Sequence, residues 1–322
     1  MALDQGVTVY FPYLRGKQFE LLALKEAAPQ LGTSGKITPV IEPVKVPEGG
    51  LERSLQALWS NGVNPILVVN PAVGDLTGPL VSTEIASLVA AEPHRWHLGL
   101  IISEDTDVAA LLAAFEAQFD GKNLLSLIHD GTPADLDLLR DRTHALGRQL
   151  DLISDELRDR HYRTFRAQNG SVIMHDGFVP QLRNADYLER PESTFTEDVL
   201  YYGDDDHIGF GDYLTIGKAW TSGGFTPRAV AIHWTYQPDP ASPIRIRHFT
   251  SETNGDMANV GGKFLEAAGK LVAFLDAEDI HTNAAEIMRG HLAADTYPGL
   301  GIVKKLSILN HLELVAEILE RP

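Results

Sequence analysis

The chain has 322 residues, with 27 basic against 44 acidic side chains, a formal net charge of −17 and no cysteine. This charge excludes a general duplex-DNA-binding surface, because a polyanion is repelled at long range. The absence of thiols excludes disulfides, thiol catalysis and cysteine–zinc sites.

Apolar runs and helical runs then alternate along the chain. Residues 7–11 (VTVYF) form a first strand, ended by Pro12 and a turn through Arg15-Gly16, and QFELLALKEAAPQL follows as a helix. Residues 37–41 (ITPVI) are the second strand, closed by Glu42-Pro43, with an amphipathic helix at 51–59 that stops at Asn61-Gly62. Residues 65–69 (PILVV) are continuously apolar, as in a strand buried on both faces, and end at Asn70. Four more strands follow at 98–102, 123–128, 149–153 and 172–174, with helices at 83–91, 107–119, 133–146 and 160–167 between or beside them.

These are seven strand–helix units at intervals of about 25 to 30 residues, which predicts βαβ units and a parallel sheet. Residues 209–216 supply an eighth strand, and eight such units close into a (β/α)8 TIM-like barrel. An open doubly wound sheet is the alternative. The apolar stripe at 261–275 is the expected closing helix. AVAIHWTY and IRIRHFTS form a β-hairpin inserted at 228–251, after strand eight. Residues 286–292 and 302–319 are further helices, so 281–322 is a C-terminal extension of one domain spanning 1–322. The first residues lack a signal-peptide pattern, and no run approaches the roughly 20 apolar residues of a membrane helix. A cytoplasmic protein without membrane association is the expectation.

In a parallel barrel the strand C-terminal ends converge on one face, where sites are built. Here those ends carry Glu42, His129, Asp130, His175, Asp176 and Asp212, which are the candidate catalytic residues. Asp and Gly also end strands for conformational reasons. Glutamate is no turn former, however, and His-Asp-Gly occurs twice, at 129–131 and 175–177. Imidazole with carboxylate suits a divalent metal or acid–base work. Glu42, His129, His175 and Asp212 are the expected ligand set for a cation such as Mg²⁺ or Mn²⁺. Arg15, Lys17, Asn70 and Lys218 are candidate ligand-binding residues at the same rim, suited to a small phosphorylated ligand. His233, Arg247 and His248 lie on the hairpin, either on an exposed polar sheet face or folded over the barrel mouth. The glycines of GFGDYLTIG fall on a strand and make no phosphate-binding fingerprint.

Several segments carry a family resemblance: YFPYLRGKQFELLAL, IEPV at 41–44, GFGDYLTIGKAW, GGFTPRAVAIHWTY, GGKFLEA at 261–267 and PGLGIVKKLSILNHLEL at 298–314. Over nearly its whole length the chain resembles the sce7725 family, grouped with the phage beta protein family. The resemblance implies a bacterial protein from variable or mobile genomic neighbourhoods, beside a partner of the related sce7726 type. It therefore implies a phage-defence or other conflict system, and it assigns no residue a role. Three functions fit these features. One is a metal-dependent hydrolase acting on a nucleotide or other phosphoester. Another is a non-catalytic subunit binding a partner or a phage component. The third is a sensor of a nucleotide-like ligand.

Overall fold

The computed structural model describes residues 8–46, 49–91, 96–119, 123–157, 170–204, 206–221 and 228–321. Eight parallel strands run in order around a nearly closed barrel: β1 (Tyr13–Leu14), β2 (Val40–Ile41), β3 (Ile66–Val68), β4 (His97–Ile102), β5 (Leu124–His129), β6 (Arg148–Ser154), β7 (Ser171–His175) and β9 (Gly209–Asp212). A parallel bridge between Tyr10 and Phe210 joins the first strand region to the last. The helices between them are α1 (Gln18–Ser34), α2 (Gly50–Ser60), α3 (Thr83–Ala91), α4 (Val108–Gln118) and α5 (Leu136–Ala145). The architecture is thus the (β/α)8 TIM-like barrel, not the open doubly wound sheet. The helix expected at 160–167 lies outside the described residues.

The first strands are shorter than expected because prolines interrupt them. Pro12 and Pro39 lack the N–H that a ladder needs. Regular pairing is confined to Tyr13–Leu14 with Val40–Ile41, while Tyr10 and Ile37 make an isolated bridge. Side chains alternate across each strand. Phe11, Tyr13, Val40, Ile66, Val68, Ile101, Ile128, Leu152, Val172 and Met174 fill the barrel interior. Leu14, Ile41, Leu67, Leu100, Leu127 and Phe210 face the surrounding helices.

The inserted segment is larger than a hairpin. β10 (Ala231–Tyr236) and β11 (Ile244–Thr250) pair antiparallel, and β8 (Glu192–Thr196) adds a third strand on the β11 edge. β8 escapes sequence patterning because ESTFT has a single large apolar residue, Phe195, which is 1% exposed. A short helix, α6 (Asp198–Tyr201), leads from it toward β9. Three helices follow: α7 (Val260–Ala277), α8 (Asn283–Ala293) and α9 (Leu300–Glu320).

The expectation of an exposed polar face on the hairpin is overturned, because helices cover both faces. On one face Tyr236 and Phe249 stack on Phe274 of α7, at 4.9 and 5.4 Å. On the other, Thr235 meets Asn310 and His311 of α9. The expected closing helix at 261–275 is α7, which supports the small sheet and packs on α8. The closing position falls to α9, which packs against α1 and reaches the last barrel strand through His311. No helix of the described residues is long and apolar enough to cross a membrane.

Candidate functional site

Strand parity divides the expected rim residues into two groups. Glu42, Asp130 and Asp176 follow the inward-facing Val40, Ile128 and Met174 by two positions, so they point into the barrel mouth. His129, His175 and Asp212 follow the outward-facing Leu127, Ile173 and Phe210, so they point into the helix layer.

Each outward residue has its own partners, buried for Asp212 and His129 and half-buried for His175. Asp212 accepts from the Tyr10 hydroxyl (3.0 and 3.1 Å), from the Leu214 backbone N–H (2.8 Å) and from Nε2 of His311 (3.1 Å). Nδ1 of His311 in turn lies 3.0 Å from Oγ1 of Thr235. Burial, with Asp212 beside it, pushes the Tyr10 phenol well above its usual range. Nε2 of His129 lies 3.1 Å from Asp151, and Arg148, 3.4 Å from the same carboxylate, donates to Thr143 of α5. His175 pairs with Asp155 at 2.7 Å, which raises its imidazole pKa against the opposing effect of burial. The expected metal set Glu42, His129, His175 and Asp212 is therefore not assembled. Its members sit on opposite sides of the barrel wall. Among the described residues, no group of three or more His, Asp or Glu is placed to hold a metal ion.

Two of the inward residues, Asp130 and Asp176, are held by a strap across the barrel mouth. After β9 the chain turns at Tyr213 and through a single 3-10 turn, Leu214–Ile216. It then runs over the strand ends with Gly217 at φ 71°, ψ 167°, a conformation open to glycine alone. Arg15 donates to the carbonyls of Gly217 (3.0 Å) and Lys218. The Lys218 backbone N–H donates to Asp176 (2.9 Å), and its Nζ lies 2.7 Å from Asp130 and 3.5 Å from Glu156. Burial alone lowers the Lys218 pKa, but these two carboxylates outweigh it and raise it. Glu42, 2% exposed, accepts from the Tyr13 hydroxyl (2.9 Å) and from the backbone N–H groups of Ala72 (2.8 Å) and Val73 (3.3 Å), with Arg15 Nε 3.7 Å away. Its pKa is raised by burial, which these partners only partly offset. Asn70 bonds to the neighbouring strand. Its amide bridges the backbone N–H and C=O of Ile101 and so ties β3 to β4.

A cavity of about 450 Å³ opens beside this plugged mouth, under the small sheet. Its walls come from four places. The strap contributes Thr215, Ile216 and Gly217, and the segment after β7 contributes Asp176, Phe178, Asn184 and Tyr187. The sheet contributes Ala231 and His233, and the start of α9 contributes Leu300, Val303, Lys304 and Ser307. Both carboxylate oxygens of Asp176 already accept backbone N–H groups, from Phe178 (3.2 Å) and Lys218. Nδ1 of His233 lies 2.8 Å from Nδ1 of His248, its cross-strand neighbour. Phe178 and Tyr187 enclose the pair, with ring centroids 4.9 and 4.8 Å from His233. Burial lowers the two imidazoles to about 3 and about 4, so both are neutral at pH 7.

Arg247 is a correction to the expected hairpin site. It lies on the opposite sheet face, over the Phe274 ring at 4.7 Å and 3.8 Å from Glu192. His233 lines the cavity, and His248 lies behind it, against His233 and Tyr187. No protein-family model matches the chain, and no curated protein matches it.

Sequence reasoning missed Phe178, Tyr187, Thr215 and Lys304, because no strand-end rule points to a side cavity. For Lys304 and His311 a signal existed. PGLGIVKKLSILNHLEL is apolar on almost every side, so it predicts a helix buried all round. Polar residues within such a helix must meet internal partners or a cavity.

Proposed function

We propose that this chain is a ligand-sensing component of a bacterial phage-defence or mobile-element conflict system, taking a small ligand into the cavity between barrel, small sheet and α9. The cavity carries this reading. Its volume falls within the range of small-molecule sites, which are mostly apolar with a few convergent polar groups. It lies where four parts of the chain meet, so occupancy would bear on all of them. The conflict-system context rests on the resemblance to the sce7725 family. Metal-dependent phosphoester hydrolysis has less support. Its expected ligands and acid–base groups are divided by the barrel wall and each is engaged with a different partner, His311, Asp151, Asp155 or Lys218.

One observation favours a second reading, a subunit that docks a partner protein. The segment that walls the cavity with Phe178, Asn184 and Tyr187 also exposes Val179 (52%), Leu182 (91%) and Leu188 (52%). Exposed apolar side chains of this kind mark contact surfaces, and a sce7726-type neighbour or a phage component would be the partner.

The test is thermal melting of the full chain against paired compounds, nucleotides and their uncharged nucleosides among them. A ligand is expected to raise Tm, and the rise should vanish in Ala231→Trp, which fills the cavity from the sheet side. No response across the panel, or an unchanged response in Ala231→Trp, overturns the cavity reading.

A further inference from the structure

We infer that the α9 end of this cavity is an anion subsite, built for the phosphate group of a ligand and centred on Lys304 with Lys17 behind it. The inference rests on the cavity reading above. Its first support is the gathering of positive charge in a chain of net charge −17. Lys304 stands in the cavity wall. The Lys17 pKa is lowered by burial and then by repulsion from Lys304, with Arg15 and Lys45 adding to it. Four cations thus crowd one region. Glu20 lies among them, 4.0 Å from Lys304 and accepting the Arg15 backbone N–H at 2.7 Å. With Glu42 3.7 Å from Arg15, two carboxylates stand against four cations, and the remaining local excess is what an anion would neutralise.

The start of α9 adds a second, independent field. Lys304 and Lys305 sit just beyond the first turn of a 21-residue helix whose first turn contains no acidic residue. Gly299 precedes it at φ 93° and offers no side-chain cap. Cations near a helix N-terminus oppose the dipole, so the helix itself does not favour Lys304 there. Lys305 pairs with Glu26 at 2.5 Å, and an anion meets both Lys304 and the uncapped amides with the right sign.

The rest of the wall fits the remainder of such a ligand. Thr215, 5% exposed, stands in it with a buried hydroxyl that has no hydrogen-bond partner among the described residues. His233 is neutral, so it offers a hydrogen bond and no competing charge. Phe178 and Tyr187 supply apolar surface for a ring. The Asp176 oxygens are engaged by backbone N–H groups, which blunts the one carboxylate in the wall.

The experiment is titration calorimetry on the full chain with AMP, adenosine and inorganic pyrophosphate as probes. AMP is expected to bind at least about tenfold more tightly than adenosine, as a charge-assisted contact requires. Pyrophosphate should compete with it. Lys304→Glu should abolish AMP binding while keeping the wild-type melting profile, and Lys304→Arg should retain it. Equal affinity for AMP and adenosine, or AMP binding untouched by Lys304→Glu, overturns the anion subsite. So does failure of both AMP and pyrophosphate to bind. If adenosine binds alone and Ala231→Trp blocks it, the cavity reading stands while the anion subsite falls.

Discussion

Asp212 shows how one side chain can change its meaning with the strand face it occupies. At the end of a barrel strand it has the position of a catalytic carboxylate. Its oxygens instead point outward to Tyr10 and His311, and the pair is 1% and 0% exposed. Removing one partner of such a buried pair is more damaging than neutralising the other. His311→Ala should therefore destabilise the fold by about 3 kcal/mol in urea unfolding, since the carboxylate stays buried with a partner lost. Asp212→Asn should cost less and leave AMP affinity unchanged, because the residue faces away from the cavity. A loss of binding without a loss of stability would restore Asp212 to the site. The parity that decides this was not legible in the sequence. Alternation marks a face only when one face is wet. In PILVV or HLGLII both faces are buried, so the pattern of apolar residues carries no phase. The strand ends themselves were readable, and Glu42, Asp130 and Asp176 do reach the mouth.

At the scale of elements, α9 is the piece that links barrel, small sheet and cavity. The residues from Leu306 to Ala316 are all buried, so its polar groups must be satisfied internally. Asn310 does this through Thr235 and Thr282 (2.9 Å each). Glu313 caps the start of α8 by accepting the Ala284 N–H at 3.0 Å. Burial pushes its carboxyl up to about 7, with Glu317 and Glu26 adding repulsion. The folded state therefore favours the neutral carboxyl, while the unfolded chain ionises near the ordinary value of 4.5. Stability from this group is complete below about pH 4.5 and is lost as pH rises toward 7. Glu313→Gln keeps an acceptor for Ala284 and removes the ionisation. It should stabilise the protein at pH 8 by on the order of 2 kcal/mol and leave it unchanged at pH 4.5. Melting curves at the two pH values check this, and an equal effect at both would contradict it. Helix α9 was legible as a helix from its apolar run. Its place as the barrel's closing helix was not, because α7 carries an equally good stripe and only the tertiary fold decides which one meets β9.

At the scale of the molecule, the inserted sheet and the C-terminal helices are not appendages. A single apolar cluster runs from the helix-facing side of the barrel, through α1 and α9, into Ile232, Trp234, Ile244 and Ile246 of the small sheet and on to α7 and α8. His311 ties the sheet to the barrel by meeting Thr235 and Asp212 with its two ring nitrogens. A domain folds as a unit when its core is contiguous, so barrel and sheet should unfold together. The tryptophans make this measurable. Trp59 and Trp96 meet edge to face at 5.0 Å on the barrel side, while Trp234 is fully buried in the sheet. Single-tryptophan variants reporting each region should give coincident urea transitions. A fragment ending at residue 280 lacks α9, so β9 and α1 lose their cover and the Asp212 carboxylate loses His311. That fragment should not form a cooperatively folded barrel. Two separate transitions, or a cooperatively folded 1–280 fragment, would show instead that the C-terminal helices are an independent addition. The cavity would then lie between two units free to move, and ligand binding would change their mutual orientation rather than stiffen one body.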